Sequence, residues 1–491
     1  MKAYRSTRGD YSCDSLEAVL RGIAPDGGLF VSEKILARPF DWKSVIGLST
    51  LDMAAKIMNH LLPDFKDMDA LVKKAYKDKF ETPDLTPVKE LGDMYILELF
   101  RGPTSAFKDV ALSMLPHLMT AAKKQTGATD ETVILTATSG DTGKAAMEGF
   151  HDVPGTRIIV FYPDGGVSPI QRAQMATQEG ANVNVCAVRG NFDDCQTAVK
   201  KSFSAINSME ALSKSGKSLS SANSINIGRL APQVVYYFKA YSDLVAKKRI
   251  KVGESVDFVV PSGNFGDILA GYFAKLMGLP VRHLVCASNE NKVLTDFLRT
   301  GVYDKRRPFY RTSSPSMDIL VSSNLERLLF LACGYDPAKV RKWMEELNST
   351  GMFEVQALVM DRIRETFKAY SCTEKQTIET IGKTYRELSY LCDPHTAVGI
   401  KCAYDYKGDC ADNVPVVVLS TASPYKFPGP VSEALGIPVT GDEFAQIDEI
   451  CRKTGVPVPA NLSSIASKKV LHKDVVDREA ITDYVMKVLG I

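Results

Sequence analysis

The chain has 491 residues, of which 45% are hydrophobic and 24% are charged, and its 60 basic and 58 acidic side chains leave a net charge of +2. This composition is typical of a soluble globular enzyme with more than one lobe, and it excludes a disordered chain and a nucleic-acid-binding protein with a long basic surface. No C-x-x-C pair, apolar signal core or run of ~18 apolar residues is present, so we expect a cytoplasmic protein without a zinc site or a membrane partner.

The first 80 residues predict an amino-terminal unit. Its expected elements are a helix at Ser15–Gly22, a short strand at Leu29–Val31 and helices near Leu51–Leu62 and Met68–Lys77. The segment Phe80–Pro87 carries two prolines, which favour a connecting loop. We therefore predict one domain over residues 1–80 and a catalytic region over residues 81–491, in which a large and a small lobe interleave.

After residue 90, short apolar runs alternate with helical segments. We predict strands at Met94–Phe100, Thr132–Thr138, Arg157–Tyr162, Ala181–Val188, Ser255–Val260, Arg282–Ala287 and Val414–Ser420. We predict helices at Val110–Thr120, Thr142–His151, Ile170–Glu179, Phe192–Ile206, Gln233–Ala246, Ile268–Met277, Lys339–Leu347, Val355–Glu365, Thr373–Leu391 and near Asp477–Leu489. Continuous apolar strands are typical of parallel sheets covered on both faces, which indicates an α/β protein with open, doubly wound sheets. Ligands in that architecture bind beyond the carboxyl ends of strands.

One lysine follows such a strand end. Lys108 lies near the end of the stretch Gly102–Asp109, whose turn residues fix the backbone. The predicted helix Val110–Thr120 that follows provides a rigid support. We interpret Lys108 as a candidate Schiff-base lysine, whose amine must be partly desolvated so that its pKa falls below ~10.4. The alternative is a solvated lysine on the first turn of a helix.

Three further loops follow predicted strands. Pro261–Asp267 contains two glycines and opens a helix, which suits a phosphate because backbone N–H groups and the helix dipole converge there, although a plain tight turn is the alternative. Ser139–Ala145 fails as a nucleotide P-loop, because position 138 is Thr and position 145 is Ala. It still offers hydroxyl groups and backbone donors to a carboxylate or phosphate. Thr421 ends a strand, where its hydroxyl either satisfies its own backbone or meets a ring nitrogen of a cofactor.

Eight stretches resemble the threonine synthase family, a pyridoxal-phosphate group with the tryptophan-synthase-β fold, also called fold type II. They are Tyr4–Gly9, Ile23–Leu29, Gly102–Asp109, Ala137–Gly143, Asn223–Arg229, Pro261–Gly271, Ser314–Glu326 and Asp393–Gly399. The stretches occur in the family's order and cover nearly the whole chain. The resemblance implies two open, doubly wound sheet domains plus a small amino-terminal α/β unit, with pyridoxal 5′-phosphate as the cofactor and no metal.

The resemblance also implies roles for individual positions. Lys108 matches the lysine that forms the Schiff base with the cofactor. The cofactor phosphate is expected at Gly263, Asn264, Phe265, Gly266 and Asp267, and the pyridine nitrogen is expected at Thr421. Groups that face the cofactor and the substrate carboxylate are expected at Ser139, Asp141 and Thr142. The substrate's own phosphate is expected at Asn223, Ser224, Asn226 and Arg229, with Arg172 and Gln171.

Three positions depart from the family's pattern. The motif after Thr421 is usually A-H-P-A-K-F, whereas Ser423 and Tyr425 stand here for the histidine and the second alanine. Ile227 stands where tryptophan is common. These departures bear on the choice of substrate.

The family converts O-phospho-L-homoserine and water to L-threonine and phosphate, which makes its members carbon–oxygen lyases of threonine biosynthesis. The resemblance implies that the freed Lys108 amine serves as a base at Cα and Cβ, while phosphate leaves Cγ and water adds at Cβ. The alternatives are a related phospho-lyase that releases 2-oxobutyrate and a non-catalytic sensor that binds pyridoxal phosphate or phosphate. We expect a small-molecule substrate, no nucleic-acid partner, and a monomer or homodimer.

Overall fold

The computed structural model describes residues 2–138, 140–410 and 412–491. Its amino-terminal elements are β1 (Tyr4–Ser6), β2 (Ser12–Cys13), α1 (Ser15–Arg21), β3 (Phe30–Val31), α2 (Glu33–Ala37), α3 (Thr50–Leu61) and α4 (Met68–Tyr76). The three strands form an antiparallel sheet in the order β2–β1–β3. The strand and the three helices that the sequence predicts in this unit are therefore present, with ends that differ by one residue.

The first half of the remaining chain alternates strands and helices. It contains β4 (Val88–Leu91), β5 (Met94–Glu98), α5 (Lys108–Thr126), β6 (Glu131–Ala137), α6 (Asp141–Phe150), β7 (Thr156–Pro163), α7 (Pro169–Ala176), β8 (Val183–Arg189), α8 (Phe192–Asn207), α9 (Glu210–Lys214), β9 (Lys217–Ser220), α10 (Ile227–Ala246), β10 (Val256–Pro261), α11 (Gly266–Leu276) and β11 (Val281–Ser288).

The carboxyl-terminal part is richer in helices. It contains α12 (Val293–Thr300), β12 (Val302–Asp304), α13 (Leu325–Ala332), α14 (Pro337–Ser349), β13 (Met352–Glu354), α15 (Ala357–Arg364), β14 (Phe367–Ser371), α16 (Glu374–Leu388), α17 (Pro394–Cys410), β15 (Val416–Ser420), α18 (Pro428–Leu435), α19 (Glu443–Thr454), α20 (Ala460–Ser463), β16 (Asp474–Asp477) and α21 (Ile481–Leu489).

Two sheets organise the catalytic region. One has six strands in the order β14–β11–β10–β15–β5–β4, and the other has five in the order β16–β8–β7–β6–β9. All neighbouring strands in both sheets are parallel except β4 and β5, which form an antiparallel edge. Because the strands in each sheet are parallel, their carboxyl ends lie along one edge, and the loops predicted to carry chemistry begin there.

Side chains of the central strand β10 point alternately to the two faces of the six-stranded sheet, and both faces are covered. Phe258 and Val260 of β10 lie in a core cluster with residues of α10 and α11, whereas Val259 lies in a second cluster with residues of α17. Successive side chains of a strand point to opposite faces, so a strand covered on both faces is apolar throughout. Burial on both faces thus explains why β10 is mainly apolar, and its buried Asp257 pairs with Arg282.

The amino-terminal unit shares a hydrophobic core with the catalytic region. Met53 and Ile57 of α3 and Leu71 of α4 lie in the same cluster as residues of α5 and α10. The unit therefore has no core separate from the rest, and the domain boundary at residue 80 stays a prediction.

The seven strands predicted after residue 90 are all present, whereas several observed elements were not predicted, including β9, α12, α13, α17, β14, α18, α19 and β16. The helix α17 was missed because it is buried on nearly every side, which removes the amphipathic period. The edge strand β14 was missed because its half-exposed residues interrupt the apolar run. The last helix begins at Ile481 and not near Asp477, because the edge strand β16 occupies Asp474–Asp477.

None of the helices in the described part of the chain is long and apolar enough to cross a membrane. The described residues also contain no group of three His, Cys, Asp or Glu side chains placed to hold a metal ion.

Candidate active site

Lys108 is the first residue of α5. It lies near the end of the turn at residues 102–109, which we call the lysine turn. The Asp109 carboxylate organises this turn, since it accepts hydrogen bonds from the backbone N–H groups of Thr104 (2.9 Å) and Ala106 (3.4 Å) and from the Thr104 hydroxyl. A Cβ atom at Gly102 would lie 2.5 Å from the Asp109 Cβ atom, so only glycine fits there. The turn is therefore held in part by its own residues.

The Lys108 side chain is buried, as the Schiff-base interpretation requires. Its Nζ atom donates a hydrogen bond to Ser316 Oγ at 3.3 Å and lies 3.7 Å from Asp141 Oδ2. Burial is the main cause that lowers the pKa of Lys108. The positive charges of Lys426 and Arg229 lower this pKa further, whereas Asp141 opposes the shift. A buried amine with a lowered pKa is what a nucleophilic lysine needs.

Asp141, the first residue of α6, lies between two ammonium groups. Lys426 Nζ is 2.7 Å from Asp141 Oδ1, closer than Lys108, and it also donates to the Thr104 carbonyl at 3.1 Å. Gln171 Nε2 donates to the same carboxylate at 3.2 Å. Burial by itself raises the pKa of Asp141, but the charges of Lys426 and Lys108 outweigh it and lower the pKa well below its usual range.

A histidine is connected to the lysine through Ser316. The Ser316 backbone N–H donates to His395 Nε2 at 3.2 Å, and His395 Nδ1 lies 2.7 Å from Asp393 Oδ2. Both His395 and Asp393 are buried. The segments 314–326 and 393–399 therefore form one wall of the site around Lys108.

The loop at residues 261–267, which we call the cofactor loop, joins β10 to α11. A Cβ atom at Gly263 would lie 2.6 Å from the Ser316 carbonyl oxygen, so the loop passes directly beneath the serine that contacts Lys108. Phe265 has a φ of 61°, a conformation that costs free energy for a residue with a side chain. Among the described residues, no backbone N–H of positions 263–267 donates to another protein group. These donors at the start of an eleven-residue helix are free for an anion.

Asp267 is the last residue of this loop and the second residue of α11. Its Oδ1 atom accepts hydrogen bonds from the hydroxyls of Tyr236 and Tyr237, while Oδ2 is buried without a partner among the described residues. Burial raises the pKa of Asp267 to about 6 in spite of these hydrogen bonds. Asp267 is close enough to Lys108 for their charges to interact.

The strand end at Thr421 lies beside the lysine turn. The Thr421 carbonyl accepts a hydrogen bond from the Phe107 N–H at 2.8 Å, and the Ser423 N–H donates to the Ser105 carbonyl at 3.1 Å. Thr421 is 5% exposed. The lysine turn is predicted to bind the cofactor through Lys108, and the strand end through Thr421 at the pyridine nitrogen. These two segments are therefore neighbours in space.

Residues 222–229, the second anion loop, precede and begin α10. Arg229 is buried, its Nη1 atom donates to the Ala222 carbonyl at 2.7 Å, and its Nε atom has no partner among the described residues. Burial lowers the pKa of Arg229 to about 10. A buried guanidinium bonded only to a neutral oxygen is unfavourable unless an anion joins it, so the loop suits a negatively charged ligand.

A second buried arginine joins three segments. Arg327 Nε donates to the Phe30 carbonyl at 2.9 Å, Nη2 donates to the Ile225 carbonyl, and Nη1 donates to Asn324 Oδ1. Asn324 in turn donates to the Asn264 carbonyl from its backbone (3.0 Å) and its side chain (2.9 Å). Arg327 thus links the amino-terminal unit, the second anion loop and the cofactor loop.

The residues predicted to bind the substrate phosphate differ in their burial and in their contacts. Asn226 is buried, and it donates to the Val19 carbonyl at 2.9 Å and accepts from the Gly228 N–H at 2.8 Å, so it holds the loop. Ser224 Oγ is 3.5 Å from Asn324 Nδ2, and Asn223 is exposed. The roles of these three residues in substrate binding stay predictions.

Two other predictions concern the first turn of α6 and the start of α7. Thr142 is half-buried beside Asp141, and Ser139 lies outside the described residues. Gln171 reaches the buried cluster through Asp141, whereas Arg172 is exposed and lies near Tyr162. The geometry therefore favours Gln171 over Arg172, and the role of each stays a prediction.

Sequence reasoning missed four residues of this site. The sequence assigned no role to Lys426, Ser316, His395 and Arg327, because each of them contacts a group that is far away in the sequence. Lys426 lies in the short helical turn Pro424–Lys426 after β15, within the motif that follows Thr421. The departure at Tyr425 is explained differently, since its ring is buried and its hydroxyl donates to the Val456 carbonyl.

Sequence models of three families match the chain. The model of the pyridoxal-phosphate dependent enzymes matches residues 81–422, more than half of the chain. The model of the threonine synthase N terminus matches residues 3–76, and that of the threonine synthase C-terminal region matches residues 396–483. The chain belongs to the threonine synthase family. The resemblance inferred from the motifs is confirmed, and the cofactor is pyridoxal 5′-phosphate.

Relatives of known name agree with this assignment. Threonine synthase of Pseudomonas aeruginosa is 40% identical over 440 residues, which cover 88% of this chain and 90% of that protein. Threonine synthase-like 1 of Homo sapiens is 40% identical over 436 residues, which cover 86% of this chain and 58% of that protein. The chain thus spans less than two thirds of the length of threonine synthase-like 1.

A solved structure confirms the predicted fold type II. The crystal structure of pyridoxal-phosphate-bound threonine synthase from Brucella melitensis superimposes with a TM-score of 0.87 at 37% identity, over 99% of this chain and 98% of that one. The two parallel sheets and the small amino-terminal sheet are those that the resemblance implied.

The residues present fit pyridoxal phosphate. The cofactor loop offers unpaired backbone donors at a helix start for a phosphate, and Lys108 offers a buried amine for an aldehyde. A hydroxyl lies at the strand end beside the lysine turn, at Thr421.

Proposed function

We propose that this protein is a threonine synthase, which converts O-phospho-L-homoserine and water to L-threonine and phosphate. The observation that supports this most strongly is the position of buried Lys108 between two separate loops suited to anions. One is the cofactor loop, and the other contains Arg229. A phosphorylated cofactor and a phosphorylated substrate together require two such sites.

The proposal assigns the cofactor to Lys108, residues 263–267 and Thr421. When bound, pyridoxal phosphate supplies the electron sink for proton removal next to the substrate's amino group. The backbone donors of the cofactor loop hold its phosphate. The Thr421 hydroxyl is neutral, so it leaves the ring nitrogen without the counter-charge that a carboxylate would supply.

Lys108 and several further residues act on the substrate. The Lys108 Nζ atom would take the Cα proton, give it up to the bound cofactor, and then, neutral again, take a Cβ proton; its lowered pKa favours the neutral amine that this requires. Arg229 holds the phosphate that leaves Cγ, through its unpaired Nε atom. Asn223, Ser224 and Asn226, with Gln171 and Arg172, are assigned to the substrate phosphate, and Ser139, Asp141 and Thr142 are assigned to the cofactor and the substrate carboxylate.

The same proposal extends to organisation and location. We propose residues 1–80 as an amino-terminal domain, which the match of the threonine synthase N-terminus model to residues 3–76 supports. We also propose a cytoplasmic monomer or homodimer that acts on a small molecule.

One incubation separates this function from its alternatives. The holoenzyme is incubated with O-phospho-L-homoserine, and phosphate, threonine and 2-oxobutyrate are assayed separately. Equal amounts of phosphate and threonine are expected. Phosphate with 2-oxobutyrate would replace the proposal by a phospho-lyase. Release of no phosphate, although borohydride still attaches the cofactor to Lys108, would favour the non-catalytic sensor.

A further inference from the structure

Two buried lysines share one carboxylate in this site. Lys426 lies in the short helical turn Pro424–Lys426 after β15, and it is fully buried. Its ammonium is 2.7 Å from Asp141 Oδ1, whereas the Lys108 ammonium is 3.7 Å from Asp141 Oδ2. Coulomb attraction falls with distance, so the carboxylate is committed mainly to Lys426.

The charges of the three groups do not balance. Two ammonium groups and one carboxylate would leave one positive charge in a buried cluster, which is unfavourable unless one lysine releases its proton. Lys426 has the shorter ion pair and a further acceptor, the Thr104 carbonyl at 3.1 Å. Lys108 has the longer contact, and its pKa is lowered. Lys108 is therefore the lysine that gives up its proton.

We propose that Lys426 is a positioning residue that holds the Asp141 carboxylate in a direct ion pair, so that this carboxylate does not fix the Lys108 nitrogen in its protonated form. Lys426 acts through Asp141 and not on the substrate. It also ties α6 to the lysine turn, because its acceptors Asp141 and Thr104 belong to these two segments. The proposal rests on the proposed function of Lys108.

Other charged groups around Lys108 act in both directions. Arg229 of α10 opposes protonation, and Asp109 of α5 favours it. Asp267 of α11 interacts with Lys108, and His395 of α17 with Asp141. Asp109 is committed to the lysine turn, and Asp267 to two tyrosine hydroxyls. Asp141 is thus the carboxylate within ion-pair distance of Lys108 in the described chain, and Lys426 is its nearest cation.

The test uses the visible absorbance of the bound cofactor in the holoenzyme without substrate, titrated with pH. Lys426→Met removes the charge that neutralises Asp141, so the protonated form of the Lys108 nitrogen should persist to higher pH. The midpoint is expected to rise by roughly one pH unit or more, the usual effect of a changed charge within a few ångströms. Lys426→Arg keeps the charge and should restore a midpoint close to that of the parent protein.

Two further variants separate this role from a structural one. Lys239→Met removes another buried lysine, which pairs with Asp243 of its own helix, and it should leave the midpoint unchanged. Asp141→Asn combined with Lys426→Met also removes the carboxylate that has lost its partner, so the midpoint should fall again. The midpoint of this double variant can also be measured if Lys426→Met alone does not fold.

An unchanged midpoint in folded Lys426→Met, or a raised midpoint that Asp141→Asn does not lower, would overturn the proposal. Because no substrate is present, these results do not depend on which product the enzyme releases. Failure of the proposed function would instead appear in the product assay, with the pH midpoint unaffected.

Discussion

The lysine turn and the second anion loop differ in which segments support them. The lysine turn is held by Asp109, one residue from Lys108, through hydrogen bonds within the turn. The second anion loop is held from outside, by the Val19 carbonyl that accepts from Asn226 and by Arg327 from α13. Both loops also combine local and distant contacts, because residues 421–426 contact the lysine turn and the second anion loop has hydrogen bonds of its own. The difference is that the groups proposed to bind the substrate depend on the amino-terminal unit through the Val19 carbonyl, whereas the distant contacts of the lysine turn include those from residues 421–426.

This difference suggests a division of tasks. Hydrogen bonds within the lysine turn and from residues 421–426 keep Lys108 in place. A loop held by the amino-terminal unit places the substrate site under the control of how that unit packs. Damage to the first should therefore affect chemistry and cofactor together, and damage to the second should affect mainly the substrate.

The largest expected effect is that of Lys108→Ala. It should lower turnover by roughly a thousandfold or more, because the proton-transferring amine is lost. The fold should survive, since the lysine turn is held by Asp109 and not by Lys108. Product assays and thermal unfolding measure the two quantities. A variant that loses its fold would show that Lys108 has a structural role in the turn.

Arg229→Leu should come next. Loss of a charged hydrogen bond costs about 1.5–3 kcal/mol, so binding of O-phospho-L-homoserine should weaken by roughly ten- to a hundredfold. Binding of unphosphorylated amino acids, followed by cofactor absorbance, should change little. Arg364→Leu is a matched control, because Arg364 also donates only to carbonyl oxygens, those of Leu298 and Arg299. Equal losses for both ligand types would contradict the proposed phosphate contact.

Asp109→Asn tests the local support of the lysine turn. An amide at this position can keep only part of the three hydrogen bonds, so the free energy of unfolding should fall by about 1–3 kcal/mol. Cofactor retention on dialysis and kcat should fall together, because Lys108 is then less well positioned. A loss confined to substrate affinity would show that the turn is not supported locally.

Asn226→Ala tests the distant support and should have the smallest effect. Removal of a helix N-cap costs about 1 kcal/mol, and the Val19 carbonyl loses its donor as well. KM for O-phospho-L-homoserine should rise several-fold, while cofactor retention and kcat stay close to those of the parent protein. If cofactor retention falls as much as in Asp109→Asn, the two loops are not independent.

The same contrast explains what the sequence could predict. Lys108 and the cofactor loop were found because the turn residues and glycines that shape them are neighbours in the chain. The ion pair of Lys426 with Asp141 and the links made by Arg327 join residues far apart in the chain. A single sequence contains no local signal for such pairs. The parallel strands were predictable because burial on both faces makes them mainly apolar, whereas burial of α17 removed the period that marks a helix.

The hydrophobic core shared by the amino-terminal unit and the catalytic region has a consequence for how this protein can be divided. A fragment that began at residue 81 would expose the apolar surfaces of α5 and α10 that α3 and α4 cover. It would also leave Arg327 without the Phe30 carbonyl and Asn226 without the Val19 carbonyl. The unit therefore could not be exchanged as a free-standing module. Any replacement would have to reproduce the apolar surface, a carbonyl group that accepts from Asn226 of the second anion loop, and a carbonyl group that accepts from Arg327.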